Sequence, residues 1–423
     1  MVQMTATTIS CDVLVVGGGA AGVAAAVAAG RAGARVVLLE RYGFLGGLAT
    51  AGLAGTVCGL YLRDTESTKA TPVAGGFVSE YAARMQRATG QEPLRLEAGL
   101  WVLPSPPQAF AQVADAVVRE AGDVTLVLHA TVAKVRTEGP RVVEVEALAW
   151  NQPLVFLPRT VVDCSGEATA AALAGASVED GAADQVPALV FTLGGVDPGL
   201  KQRGLLELRL EVRRGVEAGC LPALCEEFSL VPGTRGDDRV ALKLNLPPAR
   251  PDCPLWQQVT AWEREARTLV DELQRFLIEN VPSCRNGRLL SVAPQLGIRS
   301  GRRACGRGRL ADEDVLGCRK SVLGVARGCW PMERWGEGLR PEMRFFNERD
   351  YYEIPLDCLR LLELDNVVVA GRCFSATAGA MTSARVIGTA LATGWAAGSV
   401  SACQALGRPL EGAVAIIREQ MNQ

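Results

Sequence analysis

The order of apolar and polar residues predicts one βαβ unit at the start of the chain. Asp12 to Val16 form a short apolar run, which is typical of a buried parallel strand. Ala20 to Ala32 are mostly small residues and predict a helix, and Arg35 to Glu40 predict a second strand that closes on an acidic residue. A strand, a helix and a strand in this order make one βαβ unit.

Further strands are predicted between residues 124 and 163. Val124 to Val135, Arg141 to Leu148 and Pro153 to Leu157 alternate as antiparallel strands do, with a turn signal at Glu138 to Pro140. Thr160 to Asp163 predict one more apolar strand. Together these segments predict a β-meander beside the βαβ unit.

The pattern changes near Ser177 and changes back near Asn366. The middle mixes strands with charged helices such as Leu255 to Asn280, which has amphipathic spacing. Val367 to Ala370 then predict another buried strand, followed by a long helix of small residues. We therefore expect an α/β fold with a Rossmann-like dinucleotide-binding domain made from residues 1–177 and 341–423, and an inserted α+β substrate domain at 178–340.

The first motif that indicates a binding site is Gly17 to Gly22. It fits G-x-G-x-x-G directly after a predicted strand and at the start of a predicted helix. Gly17 permits a tight turn, Gly19 lets the backbone approach a pyrophosphate, and Gly22 lets the helix pack on the strand. Glu40, at the end of the second strand, can accept the hydroxyls of an adenosine ribose. The spacing predicts a dinucleotide site, but it does not separate NAD from FAD.

Net charge and composition limit the classes of molecule that the chain is expected to bind and the compartment in which it is expected to occur. The net charge is -2, so no field over the whole chain favours nucleic acid or an anionic membrane. Thirteen cysteines without C-x-x-C spacing predict reduced thiols, and the N-terminus lacks the basic stretch of a signal peptide, so we expect a cytoplasmic protein. Val386 to Gly407 carry no charge, but their small residues favour a buried helix over a membrane span.

Four blocks of the sequence, which occur in the same order as in a known family, resemble the blocks of that family. They are Gly43 to Thr50, Val162 to Glu167, Gly297 to Arg303, and Asn366 to Gly398. On these blocks the chain resembles the FAD-dependent oxidoreductase family that includes the flavin module of heterodisulfide reductase and is related to the fumarate reductase flavoprotein group. The resemblance covers nearly the whole chain and is weakest between Val178 and Gly287.

The resemblance implies FAD as the cofactor. Gly46 and Gly47 would lie beside the isoalloxazine, and the main chain of Val132 would run along the adenine. The helix beginning near Thr382 would point its N-terminus at the flavin N1 and C2 carbonyl. The predicted cofactor-binding residues are Gly17, Gly19, Ala21, Gly22, Glu40, Arg41, Gly46, Gly47, Thr50, Val132, Ser165, Gly166, Gly371, Arg372 and Ser383.

One departure from the family concerns histidine. The family commonly has a histidine after Ser375 to Thr377, whereas this chain has Ala378 and Gly379, and its single histidine is His129. The sequence therefore predicts neither histidine-based acid catalysis nor a histidine-rich metal site. We expect no metal, and FAD bound without a covalent link.

Arginines are the candidates to hold a substrate oxygen, because a guanidinium offers forked donors. The predicted catalytic residues are Arg299, Arg302, Arg385 and Tyr352. For the arginines the alternative is a structural salt bridge, and for Tyr352, beside Tyr351, the alternative is packing. Cys373, beside Arg372, is interpreted as a small core residue.

Three functions are considered, and the first of them is the leading prediction. The first is hydride transfer between a small organic substrate and flavin N5. The second is an electron-transfer flavoprotein subunit that works with an iron–sulfur partner, and the third is a redox-neutral flavoprotein. The electron acceptor and a homo-oligomeric state are left open as well.

Overall fold

The computed structural model describes residues 6–181, 185–198, 200, 206–234, 238–250, 252–335 and 341–423. The strands β1 to β20, in chain order, are Thr7–Val16, Val36–Leu39, Thr56–Val57, Leu94–Arg95, Trp101–Pro104, Val124–Val127, Ala130–Glu138, Arg141–Ala149, Gln152–Asp163, Val178–Glu179, Ala188–Gly194, Phe228–Leu230, Arg239–Asn245, Arg288–Val292, Arg303–Ala304, Gly324–Gly328, Met332–Trp335, Pro341–Arg344, Tyr352–Pro355 and Val367–Val369. The α-helices α1 to α10 are Ala20–Arg31, Gly76–Thr89, Pro107–Arg119, Thr169–Leu173, Leu206–Glu217, Leu255–Asn280, Asp312–Leu316, Ala378–Ala384, Ile387–Ala405 and Leu410–Met421.

The largest sheet joins the two ends of the chain. Its strands lie in the order β6-β2-β1-β9-β8-β7, and β20 pairs with β9. The pairs among β6, β2, β1, β9 and β20 are parallel, whereas β7 and β8 add an antiparallel meander. The sheet confirms the predicted α/β class, the Rossmann-like arrangement and the β-meander. It also confirms that the chain returns to its starting sheet at Val367.

Two strand predictions are wrong in their bounds. The predicted strand Val124 to Val135 is divided into β6 and β7, because His129 lies between them with a φ of +54° that regular strands do not contain. The predicted strands Pro153 to Leu157 and Thr160 to Asp163 form one strand, β9. The first half of β9 pairs with the meander and its second half with β20. Its pattern therefore changes from alternating to continuously apolar.

Helices α1 and α9 touch through their backbones. A Cβ at Gly394 would lie 2.1 Å from the carbonyl oxygen of Ala21, and a Cβ at Gly398 would lie 2.1 Å from that of Ala25. Glycine at these two positions permits a contact that a side chain would block. Most residues of α9 are buried, which confirms the prediction of a buried helix after Val386.

A sharp bend separates α8 from α9. The prediction of a helix that begins near Thr382 is wrong, because α8 begins at Ala378 behind the N-cap Thr377, and α9 begins at Ile387. The two helix axes differ by 96°. Among the described helices none alone has both the length and the apolar character needed to cross a bilayer. Only α8 and α9 counted together reach those limits.

A second hydrophobic core lies in the middle of the chain. It is built on the antiparallel sheet β12-β13-β11-β14, and its buried residues lie between Leu189 and Leu296. Helix α6 has the bounds that its apolar spacing predicts, and it buries Trp262 and Leu273 in this core. From Ala304 onward most of the buried residues pack on the first core, whereas Trp330 and Val386 form a small third cluster with Leu100 and Val102. The domain limits at residues 177 and 340 stay predictions.

Candidate functional site

The glycine-rich turn between β1 and α1 is closely packed except at one position. Gly17 has a φ of +96°, and a Cβ there would lie 2.6 Å from the carbonyl oxygen of Cys164. A Cβ at Gly22 would lie 1.7 Å from the oxygen of Gly17. At Gly19, by contrast, the nearest atom to a Cβ would be the Cα of Gly47, at 3.9 Å. The turn therefore leaves open space beside Gly19.

The N-terminus of α1 opens at the same place. No side chain caps the helix at Gly19, and the first turn, which contains Ala21, carries no acidic residue. The N–H groups at the start of a helix have no partner within the helix, and the helix dipole adds a partial positive charge there. Such an end binds phosphate groups.

Glu40 follows β2 and is buried, with 4% of its surface exposed. Its carboxylate accepts hydrogen bonds from the N–H of Gly18 at 2.7 Å and the N–H of Tyr42 at 2.8 Å. Burial raises the pKa of Glu40, and these hydrogen bonds oppose the rise. Each carboxylate oxygen keeps a second lone pair for a ribose hydroxyl. Arg41 is exposed and donates to the side chain of Gln295 at 3.1 Å.

The loop after β2 folds back onto the glycine-rich turn. The N–H of Gly46 donates to the carbonyl of Gly18 at 2.8 Å. A Cβ at Gly47 would lie 3.0 Å from the Cα of Gly19. The hydroxyl of Thr50 donates to the carbonyl of Gly47 at 3.0 Å. Gly46 and Gly47 are therefore in contact with the phosphate-binding turn that the motif predicts, and Thr50 is bonded to them.

The end of β9 meets Arg372. Asp163 is fully buried and accepts a hydrogen bond from the N–H of Ser165 at 3.0 Å. Gly166 has a φ of +80°, and a Cβ there would lie 2.5 Å from the Nη2 of Arg372. The guanidinium of Arg372 also donates to the carbonyl of Ile298. The structure thus brings together Ser165, Gly166 and Arg372.

Gly371 and Val132 reach the site from two other directions. The N–H of Gly371 donates to the hydroxyl of Thr393 at 3.1 Å, and a Cβ at Gly371 would lie 3.0 Å from the Cβ of Ala21. Val132 is half-buried in β7, two residues after Ala130, whose N–H donates to the carbonyl of Glu40 at 2.8 Å. Their contacts with FAD stay predictions.

Three features fit a dinucleotide: open space beside Gly19, an uncapped helix N-terminus and a buried acid after β2. A protein family described as FAD dependent oxidoreductase matches residues 12–408. The chain belongs to this family. This FAD-dependent oxidoreductase is accordingly an enzyme, and FAD is its cofactor.

Several solved structures superpose on this oxidoreductase at low identity. A geranylgeranyl bacteriochlorophyll reductase-like protein from Thermoplasma acidophilum has a TM-score of 0.48 and 13% identity, over 98% of this chain and 85% of that one. The anhydrotetracycline hydroxylase OxyS from Streptomyces rimosus has a TM-score of 0.48 and 14% identity, over 97% of this chain and 66% of that one. The flavin-dependent brominase Bmp2 has a TM-score of 0.46 and 12% identity, over 97% and 83%. A search of curated proteins finds no match.

Charged residues from distant segments meet beside the bend between α8 and α9. Arg385, at the bend, forms an ion pair with Glu333, and their side chains are only 12% and 16% exposed. The other oxygen of Glu333 accepts from the indole N–H of Trp330 at 2.9 Å. Both carboxylate oxygens of Glu333 are therefore bonded.

Arg299 belongs to the same cluster. Its guanidinium lies 4.7 Å from the ring centre of Trp335 and donates to the side chain of Asn245 at 3.1 Å. Lys243, on β13, interacts electrostatically with Arg299, Glu333 and Arg385. We refer to Lys243, Arg299, Glu333, Trp335 and Arg385 as the cationic cluster.

Arg299 and Arg385 are predicted from the sequence, whereas Lys243, Glu333 and Trp335 are not. A signal for Lys243 exists in the alternation of β13: Leu242 and Leu244 are apolar, and Lys243 stands between them on the other face. A lysine on one face of a strand in a predicted substrate domain is a weak sign on its own. No comparable signal marks Glu333 or Trp335.

The other predicted catalytic residues are placed differently. Tyr352 is fully buried, and its hydroxyl forms a 2.8 Å hydrogen bond with the hydroxyl of Ser383. Burial raises the pKa of Tyr352. Ser383 in turn donates to the carbonyl of Trp330. Arg302 is half-buried, with its backbone N–H 3.4 Å from the carboxylate of Glu167. These contacts are typical of packing, and the catalytic roles of Tyr352 and Arg302 stay predictions.

Cys373 is a core residue in this structure. It is fully buried, and its sulfur accepts hydrogen bonds from the N–H groups of Gly166 at 3.1 Å and Ala168 at 3.3 Å. Burial raises the pKa of Cys373 to about 12, which keeps it a neutral thiol at physiological pH. Its placement agrees with the interpretation made from the sequence.

Thiol reactivity offers a test of this burial pattern. All thirteen cysteines are unpaired, and Cys220 is exposed whereas Cys225 is buried. We expect Cys220→Ser to remove one fast-reacting thiol per chain from the native protein, because exposure controls access of the reagent. The matched change Cys225→Ser should leave the fast phase unaltered. A chromogenic disulfide reagent measures both rates. An unchanged fast phase in Cys220→Ser would show that the thiol of Cys220 is not exposed to solvent.

Proposed function

We propose that this oxidoreductase transfers a hydride between a small organic substrate and the N5 atom of FAD. The observation that carries the proposal is the cationic cluster, which combines half-buried donors from the middle of the chain with Arg385, in the segment that leads into α9. FAD supplies a group that accepts or donates a hydride. The substrate would lie between this group and the cationic cluster.

The residues around the glycine-rich turn would hold the dinucleotide. The first turn of α1 would bind the pyrophosphate at Gly19 and Ala21, and Glu40 would accept from the adenosine ribose. Gly46 and Gly47 would let the loop backbone lie against the flat ring, because neither carries a side chain. Support comes from the open space at Gly19, the absence of a side-chain cap there and the burial of Glu40.

We further propose that α9 is the helix that faces the flavin. The start of α8 is already occupied, since the N–H of Ala380 donates to the carboxylate of Asp312 at 2.9 Å. At the start of α9 no side chain caps the helix at Val386, and the N–H of Gly388 in its first turn donates to the backbone carbonyl of Cys58 at 2.9 Å. A helix N-terminus stabilises negative charge, so α9 would favour the reduced, anionic flavin and raise its electron affinity.

Several finer assignments belong to the same proposal. The four sequence blocks support a relationship with the flavin module of heterodisulfide reductase and with the fumarate reductase group. Because His129 is the single histidine of the chain, a link through a histidine near the glycine-rich turn is not expected, which supports non-covalent FAD. The odd number of cysteines and their unpaired state support a cytoplasmic location.

Anaerobic mixing of the purified holoprotein with a panel of metabolites tests the proposal. We expect one member of the panel to bleach the visible absorbance of the oxidised flavin, because a transferred hydride reduces it. Bleaching only in the presence of an iron–sulfur protein would favour an electron-transfer role. Conversion of a metabolite without any flavin reduction during turnover would favour a redox-neutral flavoprotein, and either result would contradict hydride transfer from substrate.

A further inference from the structure

The cationic cluster contains more positive than negative charge. Its cations are Lys243, Arg299 and Arg385, and Glu333 is its only carboxylate among the described residues. Cys58 also lies close, but burial raises the pKa of this thiol to about 12, so it adds no negative charge. Buried charges are normally paired, because removing an unpaired ion from water costs several kcal/mol. Lys243, Arg299 and Arg385 are half-buried, so the excess of positive charge favours the binding of an anion.

Hydrogen-bond donors without a partner are a second, independent indication that the cationic cluster binds an anion. The Nε of Arg385 and the indole nitrogen of Trp335 are buried, and neither has a hydrogen-bond partner among the described residues. The ammonium of Lys243 likewise has no hydrogen-bond or ion-pair partner among the residues that the structure describes. All three groups are donors, and none can accept. What the cluster lacks is an acceptor.

The bonded half of the cluster indicates which acceptor fits. Glu333 accepts from the indole N–H of Trp330 and from the guanidinium of Arg385. The unbonded donors repeat that chemistry, since they are another indole N–H, on Trp335, and another guanidinium nitrogen of Arg385. A second carboxylate could be held as Glu333 is held, with Lys243 added as a third donor.

We propose that Lys243, Trp335 and Arg385, supported by Arg299, bind a carboxylate of the substrate. This inference rests on the proposed function, because it places the carboxylate on the molecule that exchanges a hydride with FAD. The enzyme would then act on organic acids and discriminate against neutral analogues, which would leave these half-buried charges unpaired.

The position of Lys243 follows from the alternation of its strand. Leu242 and Leu244 are fully buried in the second core, so the intervening side chain faces away from that core and toward Arg299 and Arg385. Burial, and then repulsion from Arg299, lowers the pKa of Lys243 to about 8, while Glu333 opposes the shift. The ammonium attracts an anion only while it is protonated. Carboxylate affinity should therefore be greatest below pH 8 and fall as the pH rises through about 8.

The pair acetate and acetamide provides a direct test, because the two molecules differ little in shape but only acetate carries charge. Each is titrated into the holoprotein while the visible flavin spectrum and the thermal unfolding midpoint are recorded. We expect acetate to bind and acetamide to bind at least about tenfold more weakly, the factor for one charged hydrogen bond. Inorganic phosphate is included to distinguish a general anion site from a carboxylate site.

Lys243→Met keeps the length of the side chain and removes its charge. We expect this variant to fold as the wild type does, to bind acetate about tenfold more weakly at pH 7, and to lose the fall in affinity near pH 8. The matched control is Lys134→Met, at a strand lysine whose side chain is 65% exposed and paired with Glu146. This change should leave both acetate affinity and its pH dependence unaltered.

The outcomes separate the two proposals. Equal binding of acetate and acetamide, tighter binding of phosphate than of acetate, or wild-type acetate affinity in Lys243→Met would overturn the carboxylate site. The flavin could still be bleached by a neutral metabolite, and hydride transfer would stand. If acetate binds as expected but no organic acid bleaches the flavin, the site is real and its assignment to a hydride-transfer substrate is wrong.

Discussion

Gly19→Val is expected to give a protein that folds but purifies without its flavin. The backbone at Gly19 is extended, with a φ of -68° and a ψ of -176°, so valine can adopt it. A Cβ there would have only one neighbour within 4 Å, the Cα of Gly47 at 3.9 Å. The valine methyl groups would instead occupy the open space that we assign to the pyrophosphate. Forcing extra methyl groups into a close contact costs about 1–3 kcal/mol, which corresponds to a loss of up to about 100-fold in the affinity for FAD.

The control for this substitution is Gly412→Val. Gly412 lies on the exposed side of α10, and a Cβ there would meet no atom within 4 Å. Flavin content per chain, measured from the visible spectrum after purification, should fall in Gly19→Val and stay unchanged in Gly412→Val. Circular dichroism should show a folded protein in both cases. A yellow Gly19→Val protein with wild-type flavin content would show that the pyrophosphate binds elsewhere.

Gly398→Ala is expected to destabilise the fold by about 3 kcal/mol or more, the upper end of the cost of overpacking. The added Cβ would lie 2.1 Å from the carbonyl oxygen of Ala25. That oxygen belongs to the backbone of α1, so it cannot rotate away as a side chain could. Relief of the clash requires α1 and α9 to separate, which also opens the first core.

The same substitution at Gly412 provides a matched control, because both glycines lie inside helices. With open space around it and a place in the first turn of α10, Gly412→Ala should leave stability unchanged or raise it by up to about 0.5 kcal/mol. Urea unfolding of the holoprotein measures both variants. If Gly398→Ala proved as stable as Gly412→Ala, helices α1 and α9 would not be in backbone contact.

The nucleotide-binding half of the fold could be predicted from local sequence. The run Asp12 to Val16, the glycines after it and Glu40 all lie within one βαβ unit, where chain order fixes spatial order. The returning strand at Val367 was equally clear, because a fully buried parallel strand is continuously apolar. The structure confirms these elements within a few residues.

The parts that sequence did not predict depend on contacts between distant segments. Lys243, Glu333 and Arg385 are far apart in the chain, and only the folded chain brings them together. The break at His129 arises from a left-handed backbone conformation that residue type alone does not specify. For β9 a change of partner along one strand was interpreted as two strands.

The central claim is that the two ends of the chain together bind FAD. The most direct measurement is the visible spectrum of the purified native protein, followed by denaturation and quantification of the released flavin. We expect a yellow protein that releases about one FAD per chain, as one dinucleotide site requires. A colourless protein that stays colourless after incubation with excess FAD would contradict it.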